Sequence, residues 1–190
     1  MGKPIEPRVI GEQIRRLRLE HRVSVRAFAA QTGFSPSFIS QLENGQVTPS
    51  LGSLQKIAEA LEVTLGDFFA ATAGDVEEDL IVHASERRRL DSTWTDAHLE
   101  ALGSMTRSRR LEPVLAVFGP GGKSGKHVHS HSREEFAFVL KGRVTLTLGD
   151  EESELRAGDA VTLPARAPHR WENRGKETVE VLMVSSRLQD

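Results

Sequence analysis

No cysteine and no tyrosine occur in the 190 residues, and two tryptophans with eight phenylalanines make up all the aromatic side chains. Without cysteine no disulfide framework can hold the fold, and without tyrosine there is no phenol to serve as an acid or radical partner. No apolar run is long enough to cross a bilayer and no signal-peptide arrangement follows Met1-Gly2-Lys3, so a cytoplasmic location without a membrane partner is expected. A strong charge of one sign is also missing: 25 Lys and Arg against 27 Asp and Glu give a net charge of −2. A chain of this length has room for one large or two small domains, and its change of pattern part-way along fits two.

The charge is balanced overall but not locally. Lys3, Arg8, Arg15, Arg16, Arg18, Arg22 and Arg26 face only Glu6, Glu12 and Glu20 in the opening stretch, while acidic runs lie at 75–79 and 150–154. Ile10, Ile14 and Leu17 recur at helical spacing, which turns most of these arginines outward, where phosphates could meet them.

The stretch with the clearest local instructions is Ser35-Pro36-Ser37-Phe38-Ile39-Ser40-Gln41-Leu42-Glu43-Asn44-Gly45. Ser35 is an N-cap, Pro36 suits the first helical position, and Asn44-Gly45 supplies a left-handed residue to end the helix. Phe34 and Ile39 can close a hydrophobic staple across its start. Ile39 and Leu42 point inward, leaving Ser37, Ser40, Gln41 and Asn44 as short polar groups suited to base edges and phosphates. Before it, Ser24 caps a helix over 25–31, and Thr32-Gly33 makes a tight turn into Phe34.

On these residues, 24–45 resembles the helix-turn-helix of the Xre family, the phage-repressor type, including the Gln41-Leu42-Glu43-Asn44-Gly45 ending of the recognition helix. The resemblance implies double-stranded operator DNA as partner, with Ser37, Ser40 and Gln41 at base edges and Ser24, Ser35 and Asn44 at phosphates. Pro36 and Ser37 stand where strong-operator relatives often carry glutamine, so shape and phosphate contacts should carry more of the affinity. Glu43 would repel phosphates, and the family pattern pairs it with Arg18 as a structural clamp. Further on, Leu54, Ile57, Ala58 and Leu61 make one more apolar stripe, and Thr64 with Asp67 caps a last helix burying Leu65, Phe68 and Phe69. The expectation is a five-helix bundle over 1–71, then a small-residue and acidic linker over 72–79.

Beyond 79 the period changes to short alternating runs at 80–84, 114–118, 136–140, 144–148, 160–163 and 178–184, separated by glycine turns. That pattern indicates a sandwich or barrel. The segment 92–105, with Trp94, Leu99 and Leu102, reads as either a helix or a flap.

Two segments of this region carry chemistry. In His127-Val128-His129-Ser130-His131-Ser132-Arg133-Glu134-Glu135 the three histidines share one strand parity, which Glu135 rejoins after a turn. A second segment, Gly158 to Pro164 and then Pro168-His169-Arg170-Trp171-Glu172-Asn173, brings a histidine from a distant strand. Three imidazoles and a carboxylate form a divalent-metal ligand set. A lone His-x-His is ordinarily a surface feature, but matching positions in two separated segments are much harder to reach by accident.

The segments are similar to the paired motifs of the cupin superfamily: His129, His131, Glu135 and Gly142 in the first, Gly158, Pro164, His169 and Asn173 in the second. Arg166 departs from the pattern, which places glycine there. The resemblance implies an all-β jelly-roll barrel over 80–190, with His129, His131, Glu135 and His169 as metal ligands and His127 spare. Zinc fits such ligation best, with iron, manganese, nickel and cobalt as alternatives, and an organic effector without metal is a further one. Arg107, Arg109, Arg170 and Trp171 could serve an anionic or planar ligand, or be ordinary packing and surface.

Together the halves resemble the Xre-cupin regulators. The expected fold class is α+β multidomain: an all-α five-helix lambda-repressor-like DNA-binding domain followed by an all-β cupin jelly-roll barrel. The expected protein is a homodimeric transcriptional regulator, a repressor in the first instance, controlled by a metal ion, a small-molecule effector or both. A reading from another class is an iron-dependent cupin enzyme resembling hydroxypropylphosphonate epoxidase, with ligands His131, Glu135 and His169.

Overall fold

The computed structural model describes residues 3–70, 80–93, 95–103 and 110–186. The linker expected at 72–79, Trp94, Arg107 and Arg109 lie outside the described residues. Four helices of eight residues or more make the N-terminal bundle: α1 Pro7–Glu20, α2 Val25–Thr32, α3 Pro36–Glu43 and α4 Leu51–Ala60. A six-residue segment, α5 Leu65–Ala70, closes it, so the fifth expected helix amounts to little more than one turn. Ile10, Ile14, Leu17, Phe28, Ile39, Leu42, Leu54, Ile57 and Phe68 form its buried interior.

The local signals act as their chemistry requires. The Ser24, Ser35 and Ser50 hydroxyls accept from the backbone NH groups of Ala27, Phe38 and Ser53. Gly33 takes φ 70° at the α2–α3 turn, a conformation that costs a β-carbon-bearing residue roughly 1–2 kcal/mol. Phe34 packs on Phe38, with ring centroids 4.9 Å apart, while Ile39 lies in the bundle core. Arg18 and Glu43, both buried, form a two-pronged ion pair that includes a 2.7 Å bond from Nη2 to Oε2, and Arg18 Nη1 donates to the Val23 carbonyl.

The rest of the described chain is two sheets around a common apolar core. A seven-stranded sheet runs in the order β1 (Lys3–Pro4), β2 (Arg88–Asp91), β3 (Ala97–Ala101), β4 (Leu111–Phe118), β10 (Val179–Ser186), β5 (Glu135–Lys141), β8 (Ala160–Leu163). The second has three strands in the order β7 (Glu151–Arg156), β6 (Arg143–Leu148), β9 (His169–Glu172). Ala116, Phe118, Val139, Val144, Leu163, Trp171 and Val181 fill the space between them. Trp171 is fully buried, so it is packing and not a platform for a planar ligand.

Three features depart from expectation. No strand forms at 80–84, where Leu80 and Ile81 are 80% and 70% exposed; the ladder begins instead at β2, whose Leu90 is buried against β3. The ambiguous segment 92–105 contains strand β3 rather than a helix or flap. Residues 3 and 4 pair in parallel with Arg88 and Arg89, so the start of the chain joins the sheet of the C-terminal half.

The helical and sheet regions touch through the first turn of α4. Gly52 NH donates to the Ser124 carbonyl at 2.8 Å, and Thr48 exchanges two hydrogen bonds with Thr93. Gly52 lies against the His129 ring, where a β-carbon would stand 2.6 Å from Nδ1. Only glycine permits that approach.

Candidate metal centre and nucleic-acid interface

His131, Glu135 and His169 converge, each offering one ligand atom, with all three atoms within 4.8 Å of one another. Glu135 opens β5 and His169 opens β9, so opposite sheets contribute to one point. The Nδ1 of His169 lies 2.9 Å from the Ala167 carbonyl, which suits the tautomer with the proton on Nδ1 and leaves the Nε2 lone pair free. Nε2 of His131, Nε2 of His169 and Oε1 of Glu135 are buried without a hydrogen-bond partner. Such orphaned acceptors in one place fit a bound cation.

Burial sets the electrostatics. It pushes the Glu135 carboxyl up to about 7, and lowers His131 to about 4 with help from His169. His129 falls to about 3, first by burial and then by the neighbouring His169 and His131; burial also lowers His169. The histidines are therefore neutral at pH 7, as metal ligands must be, and one carboxyl proton remains to be displaced by the ion.

His129, the fourth expected ligand, stands beside this group: its ring is 4.5 Å from that of His169, the two residues form an antiparallel bridge, its ring nitrogens are buried like the ligand atoms of the other three, and its ring is wedged against Gly52 of α4. Gln55, one turn along the same helix, was not singled out from the sequence. It is buried, its Oε1 is unpartnered, and it lines a small gap shared with His131, Arg133 and Glu135. A polar residue beside Leu54 on an otherwise apolar stripe is the one signal for it. His127 is exposed.

Arg166, in the glycine position of the second motif, takes φ 63°, and its NH donates to the His131 carbonyl at 2.7 Å. The turn thus keeps the left-handed geometry without the glycine. Asn173 anchors the neighbouring loop, donating to the carbonyls of Phe118, Gly119 and Glu177.

In the other half, Ser24, Ser35, Ser37, Ser40 and Asn44 are exposed and Gln41 is half-buried. Ser24 and Ser35 spend an acceptor lone pair on capping, which leaves the hydroxyl proton to give to a phosphate. Asn44 Nδ2 reaches Ser40 Oγ at 3.5 Å. Glu43 is withdrawn from this face by Arg18. Arg15, Arg22 and Arg26 lie exposed beside it.

Residues 14–68 match the helix-turn-helix family and residues 114–185 the cupin domain family. The chain is thus a helix-turn-helix protein carrying a C-terminal cupin domain. It is homologous to the HTH-type transcriptional regulator PuuR of Escherichia coli, at 25% identity over 163 residues and 86% of each chain. It is also similar to (S)-2-hydroxypropylphosphonic acid epoxidase of Streptomyces wedmorensis, at 25% identity over 76% of this chain and 78% of that one. A solved structure of an HTH_3 family transcriptional regulator from Vibrio cholerae has the same fold, with a TM-score of 0.75, 21% identity and coverage of 97% and 98% of the two chains.

Proposed function

We propose that the protein is a sequence-specific DNA-binding transcriptional regulator whose cupin domain takes a divalent metal ion, a small-molecule effector or both. The observation that carries the reading is a capped α3 with an exposed polar face, Ser37, Ser40, Gln41 and Asn44, whose only carboxylate is locked inward by Arg18. Ser24 and Ser35 hold phosphates at the two helix starts. His129, His131, Glu135 and His169 hold the ion, with zinc as the first choice and iron, manganese, nickel or cobalt as others. The units are residues 1–71 and 80–190, joined by 72–79, and the protein works in the cytoplasm.

A homodimer follows from the geometry of operators, since two readers about 34 Å apart read more sequence than one. Support for it on the molecule is the outer face of β5, where Phe136 and Leu140 are exposed large apolar residues. Repression is the simpler outcome, because an occupied operator blocks other proteins.

A second reading is favoured by one observation: without His129, the set is two histidines and one carboxylate, which leaves coordination positions open for iron and oxygen chemistry. The likeness to the epoxidase points the same way. The two readings separate in one experiment on the iron-loaded full chain. The regulator shifts operator fragments and consumes no oxygen above free iron, whereas the enzyme consumes oxygen with a phosphonate substrate and leaves DNA unbound.

A further inference from the structure

A cleft of about 530 Å³ opens between the helical region and the cupin domain, with His129 in its lining but not His131, Glu135 or His169. Its volume lies in the range of small-molecule sites. Phe34 and Phe38, half-buried with their rings tilted 55° to one another, make its apolar wall on the side of the DNA-reading helix. Lys56 of α4 and Lys126 of the loop before the histidines line it, and neither forms an ion pair with a described carboxylate. The third lysine at the cleft, Lys123, is engaged by Glu172 at 2.7 Å.

One buried polar group also lacks a partner here: the Thr95 hydroxyl oxygen is buried and unbonded. Leaving such a group unsatisfied is costly. A bound molecule with hydrogen-bonding atoms would recover that cost, and the two free ammonium groups make an anion the fitting charge.

We propose that this cleft is a binding site for a small organic anion with a flat apolar body, the body lying on Phe34 and Phe38 and the anionic group between Lys56 and Lys126. The site also takes a hydrogen bond from Thr95 on the cupin side, and His129 forms part of its wall. Its consequence rests on the regulator reading: a molecule touching both Phe38 of α3 and the cupin wall holds the reader in one orientation, and changes DNA affinity if that orientation differs in fit.

The test is calorimetric titration of the full chain with phenyl phosphate, with benzylamine and inorganic phosphate as comparisons. Saturable binding of phenyl phosphate is expected, with the cation weaker by about tenfold or more for want of a charge-assisted hydrogen bond, and the ringless anion weaker by about tenfold or more for want of the apolar contact. The double variant Lys56→Gln, Lys126→Gln should weaken phenyl phosphate by a similar factor; Lys126→Glu alone, at an exposed position, gives the same direction should the double variant fail to fold. Lys141→Gln, an exposed lysine away from the cleft, should leave the affinity unchanged. Equal binding to wild type and cleft-lysine variants, no binding at all, or loss of binding in Lys141→Gln would each overturn the proposal. A double variant that loses DNA affinity but keeps phenyl phosphate would assign the lysines to DNA and overturn it equally. Phenyl phosphate binding in a protein that shifts no DNA would leave the site standing and remove the regulator reading.

Discussion

Gly52 in the first turn of α4 lies directly against the ring of His129, and the distance a β-carbon would keep from Nδ1, 2.6 Å, is shorter than side chains tolerate. The helix that follows α3 is therefore fitted to a histidine of the cupin domain. Any shift of that ring, by an ion or a ligand, is felt at the start of α4.

Gly52→Ala tests this fit. The ring cannot retreat into a core that already holds His169 and His131, so the helix must give way. A loss of about 1–3 kcal/mol in stability is expected, the usual range for overpacking. Urea unfolding measures it; a variant as stable as wild type would mean the two regions are not packed this way in solution.

Arg18→Ala should be worse. It strands the buried Glu43 carboxylate, at a cost of about 3–5 kcal/mol, whereas the double change Arg18→Met, Glu43→Leu removes both charges and should recover most of the loss. The four-member unfolding cycle gives the coupling, and additive losses would show that the pair is not a clamp.

Arg166 sits at φ 63°, where a β-carbon is strained. Arg166→Gly should raise stability by about 1 kcal/mol without altering metal content. Thermal unfolding of the two proteins decides it, and a fall in stability would show that the arginine side chain earns its place.

Metal affinity should depend on pH with a definite sign. Glu135, raised to about 7, keeps a proton in the folded protein that its unfolded counterpart loses near 4.5; the stability linked to that proton is present at low pH and fades as pH rises from 4.5 to 7. His129 and His131, lowered to about 3 and about 4, act oppositely, and their contribution fades as pH falls below 6.5. A cation must displace the Glu135 proton, so zinc affinity should rise about tenfold per pH unit up to about pH 7 and then level off. Zinc titrations across that range test it, with Glu135→Gln expected to flatten the slope.

The helical half was legible because its instructions are local. Ser24, Gly33, Ser35 and Pro36 act within one turn of themselves, and the Arg18 to Glu43 pair was reached through the family pattern. The metal motif was legible through the family resemblance, which picks out His131, Glu135 and His169; strand parity was the wrong reason, since 127–134 forms no strand beyond an isolated bridge at His129 and a loop carries His131 to Glu135. The parts that were missed depend on distant partners. β7 is mostly charged residues and is a strand only because β6 offers it a ladder, and β3 was hidden in a segment with no clear period. The pairing of Lys3 with Arg88 and the contact of Gly52 with His129 leave no mark in either local sequence.

The central claim is that α3 reads DNA. The measurement that tests it most directly is binding of the full chain to genomic fragments, including the region upstream of its own reading frame, with Ser37, Ser40 and Gln41 intact or all replaced by alanine. The account predicts a complex that survives competitor DNA, weakens by about tenfold or more between about 50 and 200 mM salt, and loses its sequence preference in the triple variant while metal content is unchanged. A triple variant with undiminished preference, or a wild-type protein that forms no complex with or without chelator, would contradict it.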